Sequence, residues 1–425
     1  MEGPISGVTR ERVVVVGGGP TGLAAALALT HAGQPVLVLA PPDRTAPPDR
    51  RTAALFAGSI TLMRNLGVWP ACAAVSSPIL AIRIIDDTGG VLRAPEVVFT
   101  AAEVGLEAFG YNVPNADLTL ALRTTLAARG GEIAETSADR IAVTPNTVRL
   151  LLATGATIET LLVVGADGRH SPSRQAAGIA TRAWSYPQAA VVCSFGHARP
   201  HHGASTEFHR PAGPLTTVPL PGNRSSLVWV ERPGEGERLS ALDDTAFARE
   251  LEARLQGLLG LIADLGPRSV FPLSGLSAQT AAANRVALVG EASHVIPPIG
   301  AQGLNLGLRD AAALADCVGG AIGKGRDPGG QATLEAYAAA RATDVSTRVI
   351  GVDLLNRSLI ADVLPTHLAR GLGLHLINAI GPLRRYLVRE GLQPSRATPS
   401  LMRDDATSPL PQNGGTAGGG RRSGP

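Results

Sequence analysis

Residues 12–39 read RVVVVGGGPTGLAAALALTHAGQPVLVL. The apolar run from Arg12 to Gly17 reads as a buried strand, and the alanine-rich segment from about Thr21 to Ala32 reads as a helix. Gly33 stands where helices stop, and Val36–Leu39 is the next strand. Strand, helix and strand make the opening unit of a parallel α/β sheet. Between them, Gly17-Gly18-Gly19-Pro20-Thr21-Gly22 has the G-x-G-x-x-G spacing. Gly17 permits the tight turn, Gly19 lets backbone approach a pyrophosphate, and Gly22 lets helix pack on strand. The helix N-terminus adds N–H donors and positive dipole for phosphates. The glycine pattern alone is weak, but its place between strand and helix points to dinucleotide binding rather than an ordinary glycine-rich turn. The acid that usually follows roughly 20 residues on is missing. The second strand ends at Ala40, and the nearest carboxylate, Asp43, lies in a Pro-, Asp- and Arg-rich loop over 40–51.

Further along, Leu55 to Leu66 has helical apolar spacing, and Ala116 to Arg129 reads as a helix with Asn115 as its cap. Leu161–Val164 is a short strand ending at Gly165. From about Ala183 to Val270 the pattern changes. Strand-like pieces such as Ala189–Phe195 and Ser225–Val230 are broken by Pro and Gly, as in an antiparallel sheet. Val286–Val289 returns to a buried strand, Leu304–Val318 is a helix, and beyond Leu334 the pattern is helical to about Gly391. Arg396 to Pro425 is Ser, Thr, Gly, Pro and Arg, too apolar-poor to offset the entropy of ordering, and is expected to be a disordered tail.

The 425 residues, 44% hydrophobic, suit two joined domains. A net charge of +3, without basic runs interleaved with aromatics, argues against nucleic-acid binding. Cys72, Cys193 and Cys317 form no CxxC pair and fit small buried side chains in a reduced, cytoplasmic protein. His201 and His202 adjoin in a loop, but the sequence offers no metal-ligand spacing. The first twelve residues carry charges and no secretory apolar stretch, and no apolar run reaches the ~18 residues of a membrane span. The expectation is a soluble protein or one peripheral on the inner face of a membrane.

Two further blocks carry chemistry. Gly165-Ala166-Asp167-Gly168-Arg169-His170-Ser171 follows a strand, so its Asp-Gly turn can aim a carboxylate at a cofactor. Val289-Gly290-Glu291-Ala292-Ser293-His294 also follows a strand and leads into Pro297-Pro298-Ile299-Gly300-Ala301-Gln302-Gly303-Leu304-Asn305. A carboxylate at the strand end can hold hydroxyls, and the prolines give a rigid wall. The N–H groups of Gly303, Leu304 and Asn305 open a helix that favours negative charge. His294 suits either a base or a structural part.

These three blocks in this order resemble the FAD-dependent aromatic hydroxylases typified by para-hydroxybenzoate hydroxylase. HVIPPIGAQGLNLGLRDAAALAD is similar to the ubiquinone-biosynthesis branch of UbiH/UbiF type, and RTAALFAGSITLMRNLGVW, YNVPNADLTLALR and GVDLLNRS add to the match. The likeness runs from about Arg12 to Gly391. It implies a Rossmann-like α/β FAD-binding domain with an inserted antiparallel-sheet substrate domain and C-terminal helices. The boundaries expected are an N-terminal extension over 1–11 and FAD-binding parts over 12–182 and 276–344. The substrate domain spans 183–275, joined by strands from around 80–110. A helical region covers 345–395, and the tail covers 396–425.

The resemblance further implies noncovalent FAD held by Gly17, Gly19, Pro20, Thr21, Gly22, Asp167 and Glu291. Arg51 and Arg123 would touch its phosphates or ribityl chain, and Pro298, Gly303, Leu304 and Asn305 would face the flavin. Glu291 stands where the family normally has Asp. The implied reaction is hydroxylation of a polyprenylated phenol in ubiquinone biosynthesis, through a flavin C4a-hydroperoxide formed with O2. Electrons would come from NADPH or a separate reductase, and the lack of a second G-x-G-x-x-G, typical of the family, does not separate the two. A bilayer-borne substrate implies a quinone-biosynthesis complex, a lipid-presenting protein, or peripheral membrane contact through Arg370, Arg384, Arg385 and Arg389. Two other readings stay open. One is a different flavin oxidation of a lipid or secondary metabolite, although the halogenase W-x-W-x-I-P is absent and Trp229 stands alone in LVWVERP. The other is a non-catalytic subunit of this fold.

Overall fold

The computed structural model describes residues 7–8, 13–42, 49–89, 95–360 and 398–404. The opening unit folds as its sequence dictates. Val13–Val16 and Val36–Leu39 are buried parallel strands, joined by the helix Pro20–His31. Among the described residues they belong to a sheet of six strands. Its order is Ala282–Ala283, Val286–Leu288, Leu162–Gly165, Val13–Val16, Val36–Leu39 and Glu132–Ala134. All pairings are parallel except the first. Helices Pro20–His31, Asn115–Ala128 and Gln302–Ile322 pack on one face around Leu23, Leu27, Leu122 and Leu314, all fully buried. A smaller sheet, with strands Ala138–Val143, Val148–Leu152 and Thr157–Thr160, shares an apolar cluster with the other face.

The second large sheet has nine strands among the described residues, with Thr181–His197, Arg224–Glu231, Leu215–Leu220 and Ala204–His209 at its centre. The strands Ala189–Phe195 and Ser225–Val230 read from sequence lie within two of these. Thr181–His197 runs for 17 residues because a register shift between Ser185 and Ala189 absorbs the proline at 187. The sheet is not drawn from 183–275 alone. Ala81–Asp86 pairs in parallel with Ala204–His209, and Val97–Thr100 closes the edge. One face rests on helices Pro233–Ala241 and Asp244–Arg254 through Phe208, Trp229, Phe247 and Leu251. The other face is the ceiling of a cavity.

Three local expectations are corrected. The segment from Leu55 does not begin as helix. Thr52–Phe56 is a strand paired with Gly110–Pro114, and the helix starts at Ala57. Asn115 is inside its helix, which has Pro114 at the cap, and its side-chain amide donates to Asp49 Oδ2 at 3.0 Å. The expected disordered tail is ordered over part of its length. Residues 398–404 carry the short 3-10 helix Ser400–Met402, with Leu401 and Met402 buried in the main core and Asn65 donating to the Leu401 carbonyl at 2.9 Å. Two apolar side chains sufficed to anchor this stretch where composition averaged over thirty residues indicated none. The helix Gln331–Ile360 matches the pattern beyond Leu334, whereas Asp43, Arg370, Arg384, Arg385, Arg389 and the rest of the C-terminal region lie outside the described residues.

Candidate active site

A cavity of about 710 Å³ lies between the two sheets. At one end the glycine turn lines it with Gly19, Pro20, Thr21 and Gly22. Gly17 has φ 118°, and a Cβ there would stand 2.2 Å from the Ala166 carbonyl oxygen, so glycine is required. A Cβ on Gly22 would stand 2.1 Å from the Gly17 oxygen. Gly19 differs: a Cβ there meets no protein atom within 4 Å, because the position faces open space. The first helical N–H groups have no intrahelical acceptors. Pro20 carries none, so Gly19, Thr21 and Gly22 offer the donors at this end. Glycine thus keeps open the volume beside a row of N–H groups, which fits a pyrophosphate and supplies the test of whether a dinucleotide suits the site.

Arg51, Asp49 and Asn115 line the next stretch. The Arg51 guanidinium donates to both Asp49 oxygens at 2.9 Å, and hydrogen bonding to Asp49 holds its pKa above the usual arginine value. Burial pushes the Asp49 carboxyl upward, but hydrogen bonds from Arg51 and Asn115 outweigh it and leave the group below the usual carboxylate range. Arg123 approaches from outside the cavity, its Nη1 3.9 Å from where a Cβ on Gly18 would be. Ala40 is buried against the same glycine. Glu291 lines the cavity, is exposed, and acts on Arg51 electrostatically.

Asp167 departs from expectation. Its neighbours Ala166 and Gly168 line the cavity, whereas its carboxylate accepts from Ser171 Oγ and from the Ser173 backbone N–H at 2.8 Å. Both oxygens are engaged by the start of helix Pro172–Ala176, because the chain turns back within hydrogen-bonding reach of Asp167.

The far wall is Pro297, Pro298, Gly300, Ala301, Gln302, Gly303 and Leu304. Gly300 and Ala301 have φ 63° and 51°, so the turn ahead of the helix Gln302–Ile322 is left-handed, and Ala301 holds that conformation despite its side chain. Asn305 explains how. Its Nδ2 donates to the carbonyls of Ala54 and Ala301 at 2.7 Å each, and its Oδ1 accepts from Phe56 N at 2.9 Å and Ser59 Oγ at 2.7 Å. One buried side chain therefore fixes the helix start against residues 54–59. The sequence reading placed only its backbone at the site.

His294 borders the cavity but is 2% exposed, and its Nε2 lies 2.6 Å from Asp310 Oδ2. Asp310 also accepts from Gly290 N at 3.0 Å and Arg341 Nε at 2.7 Å. Burial pushes the Asp310 carboxyl upward, and the opposing charges of His294 and Arg341 bring it below its usual value. This buried assembly ties the Gly290–Ala292 turn to two helices, a structural role for His294 and more than the local helix contact expected of Asp310.

The ceiling above the turn and the proline wall is apolar: Ile82, Ile84, Phe99, Val218 and Val228 all face the cavity. Ser205, Glu207, Thr216 and Ser226 supply its polar atoms. Sequence reading found none of these four. Alternation along a strand shows that two faces exist, but not which one meets a site built from residues far away in the chain.

Residues 10–350 match the FAD binding domain family. The chain is 37% identical over 398 residues to ubiquinone hydroxylase UbiL of Rhodospirillum rubrum, covering 92% of each. It is 32% identical to 3-demethoxyubiquinol 3-hydroxylase of Escherichia coli, covering 89% of this chain and 98% of that one. The solved structure of p-nitrophenol 4-monooxygenase PnpA from Pseudomonas putida superposes with TM-score 0.74 at 20% identity, over 91% of this chain and 100% of that one, which shows a shared fold.

Proposed function

This chain belongs to the FAD-binding family of ubiquinone-biosynthesis hydroxylases, and we propose that it is the FAD-dependent monooxygenase that hydroxylates the aromatic ring of a polyprenylated phenol in that pathway. The observation that carries the reading is one cavity with a phosphate-accepting glycine turn at one end and an apolar ceiling over a proline wall at the other. Bound FAD would supply the activation of O2, with electrons from NADPH or a separate reductase. The chain would supply position and exclusion of water.

In this reading Gly19, Thr21 and Gly22 hold the pyrophosphate with backbone N–H groups, with Gly17 and Pro20 shaping the turn. Arg51 and Arg123 neutralise phosphate charge from the two sides of the turn, and Glu291 accepts from hydroxyls of the ribityl chain. Asp167 serves indirectly, by fixing the Ala166–Gly168 backbone. Pro298 walls the flavin ring, and Gly303, Leu304 and Asn305 present the N-terminus of a 21-residue helix where reduction gathers negative charge. The isoleucines and Phe99 of the ceiling press an aromatic ring toward that wall and keep it dry.

Among the described residues no helix is long and apolar enough to cross a membrane. Ile350 and Leu354 are 57% and 61% exposed toward the end of the helix Gln331–Ile360. We read this end, with the arginines that follow at 370–389, as a means of peripheral membrane contact or of docking on a lipid-presenting partner. Sedimentation with anionic liposomes at low salt tests it: protein that stays in solution with its flavin bound leaves only the partner route.

The reaction is tested with purified, flavin-loaded protein, a short-chain prenylated phenol, O2 and either electron source. Mass spectrometry should find one oxygen added to the ring. Electron consumption with no oxygenated product from any prenylated phenol would overturn the assignment. Where oxygenated product forms, quinone profiling of a deletion strain names the ring position from the intermediate that accumulates.

A further inference from the structure

The ceiling is apolar except at a few points, and one of them holds an ionisable pair. On strand Ala204–His209, Ser205, Glu207 and His209 share one face, because side chains alternate along a strand. Glu207 lies in register between Ile84 and Thr216 and lines the cavity, with its side chain 15% exposed. Its Oε1 is 2.7 Å from His209 Nε2. Among the described residues its Oε2 has only the Thr216 hydroxyl, at a long 3.4 Å. His209 is buried, and its Nδ1 has no hydrogen-bond partner among the described residues. The imidazole engages Oε1, which leaves Oε2, with only its long bond to Thr216 among the described residues, at the cavity wall.

We propose that Glu207 Oε2 receives the hydroxyl of the phenol and takes its proton as oxygen is delivered to the ring, with His209 holding the carboxylate in place. The idea rests on the hydroxylase reading above. A resting phenol is too weak an acid to give its proton to a carboxylate. When the electrophilic oxygen supplied by the hydroxylase reaction bonds to a ring carbon, the ring π pair forms the new C–O bond, the bond between that oxygen and its donor breaks with its electron pair leaving on the donor, and the ring turns electron-poor. Its O–H then becomes strongly acidic. The O–H bond breaks, its electrons become the C=O π bond of a dienone, and the proton passes to Oε2. Loss of the ring C–H proton afterwards restores the aromatic ring. Glu207 is thus a catalytic residue of the general-base kind, and His209 a positioning residue. Ile82 and Ile84 on the neighbouring strand make the wall beside Glu207 apolar, so a phenol hydroxyl finds a carboxylate there to which a ring ether has nothing to donate, and the pair selects phenols over ring ethers.

The experiment compares a phenol bearing a two-isoprene chain with its methyl ether, using flavin-loaded wild type and Glu207→Gln. The variant should keep its flavin and lose about 10²-fold in kcat on the phenol. Its dissociation constant for the phenol should rise about tenfold, the loss of one charge-assisted hydrogen bond, while that for the ether stays unchanged. His209→Phe should lower kcat, and His209→Gln, which keeps an N–H donor, should restore most of it. Equal weakening toward phenol and ether would mean a structural role and overturn the proposal, as would an unchanged kcat. If wild type binds the phenol without oxygenating it, the hydroxylase reading fails. The phenol-to-ether comparison still decides whether Glu207 meets the hydroxyl.

Discussion

Gly19→Val is expected to give a folded protein without flavin. The backbone at Gly19 has φ −74° and ψ 173°, a conformation open to any residue, and a Cβ there meets no protein atom within 4 Å. The structural cost is the exchange of a good helix N-cap for a poor one, about 1 kcal/mol. The cost to the cofactor is larger. The valine branches would occupy the space in front of the Thr21 and Gly22 N–H groups. Each charge-assisted hydrogen bond contributes roughly 1.5–3 kcal/mol. Losing two gives about 3–6 kcal/mol, or roughly 10²–10⁴-fold in FAD affinity. The assay is the ratio of flavin to protein absorbance after purification, followed by FAD titration and far-ultraviolet circular dichroism. Gly22→Val is the contrast. Its Cβ would stand 2.1 Å from a carbonyl oxygen, so that chain should fail to fold around the turn. Gly19→Val protein with full flavin content would refute the assignment of this turn to phosphates. An unfolded Gly19→Val would refute the reading of the space beside it as open.

Other outcomes follow from the same geometry. Asp310→Ala takes one carboxylate from the Arg341 guanidinium, whose side chain is 2% exposed, and leaves it Asp344, so a denaturant titration should show a loss of about 3 kcal/mol, the low end for a broken buried pair. Because the folded-state pKa of Asp310 is depressed, its contribution is complete above its ordinary value of 3.8 and disappears as pH falls through the folded-state value. The wild-type advantage over Asp310→Asn should therefore shrink on acidification in that window, and an advantage constant to the acid limit would contradict the linkage. Ala40→Glu restores an acid at the end of the second strand and should tighten FAD by about tenfold, the effect of one charge-assisted hydrogen bond. Unchanged affinity on titration would mean that the ribose is held by another group.

The opening strand-turn-helix was legible because its signals are local: four buried valines, glycines at fixed offsets and a capping Gly33. Leu55 and Phe56 were read into the following helix because the strand partner of Thr52–Phe56, Gly110–Pro114, lies over fifty residues away and leaves no trace in local periodicity. Asp167 shows the same limit in a site residue. The motif located the turn, but the competition of the Ser173 N–H for its carboxylate appears only once the turn is built. Glu207 and His209 were missed for a related reason. Neither belongs to a motif, and their meaning comes from a strand face turned toward a turn nearly two hundred residues earlier.

The parallel pairing of Ala81–Asp86 with Ala204–His209 also bears on biosynthesis. During translation the isoleucine-bearing edge around residues 81–100 leaves the ribosome about a hundred residues ahead of its partner. At roughly 5–20 residues per second, that is a wait on the order of ten seconds. For that interval a strand with bare hydrogen-bonding groups and Ile82, Ile84 and Phe99 has no sheet to join, the circumstance in which nascent chains aggregate. Yield of soluble protein should therefore respond to chaperone supply and growth temperature more than native-state stability alone would dictate.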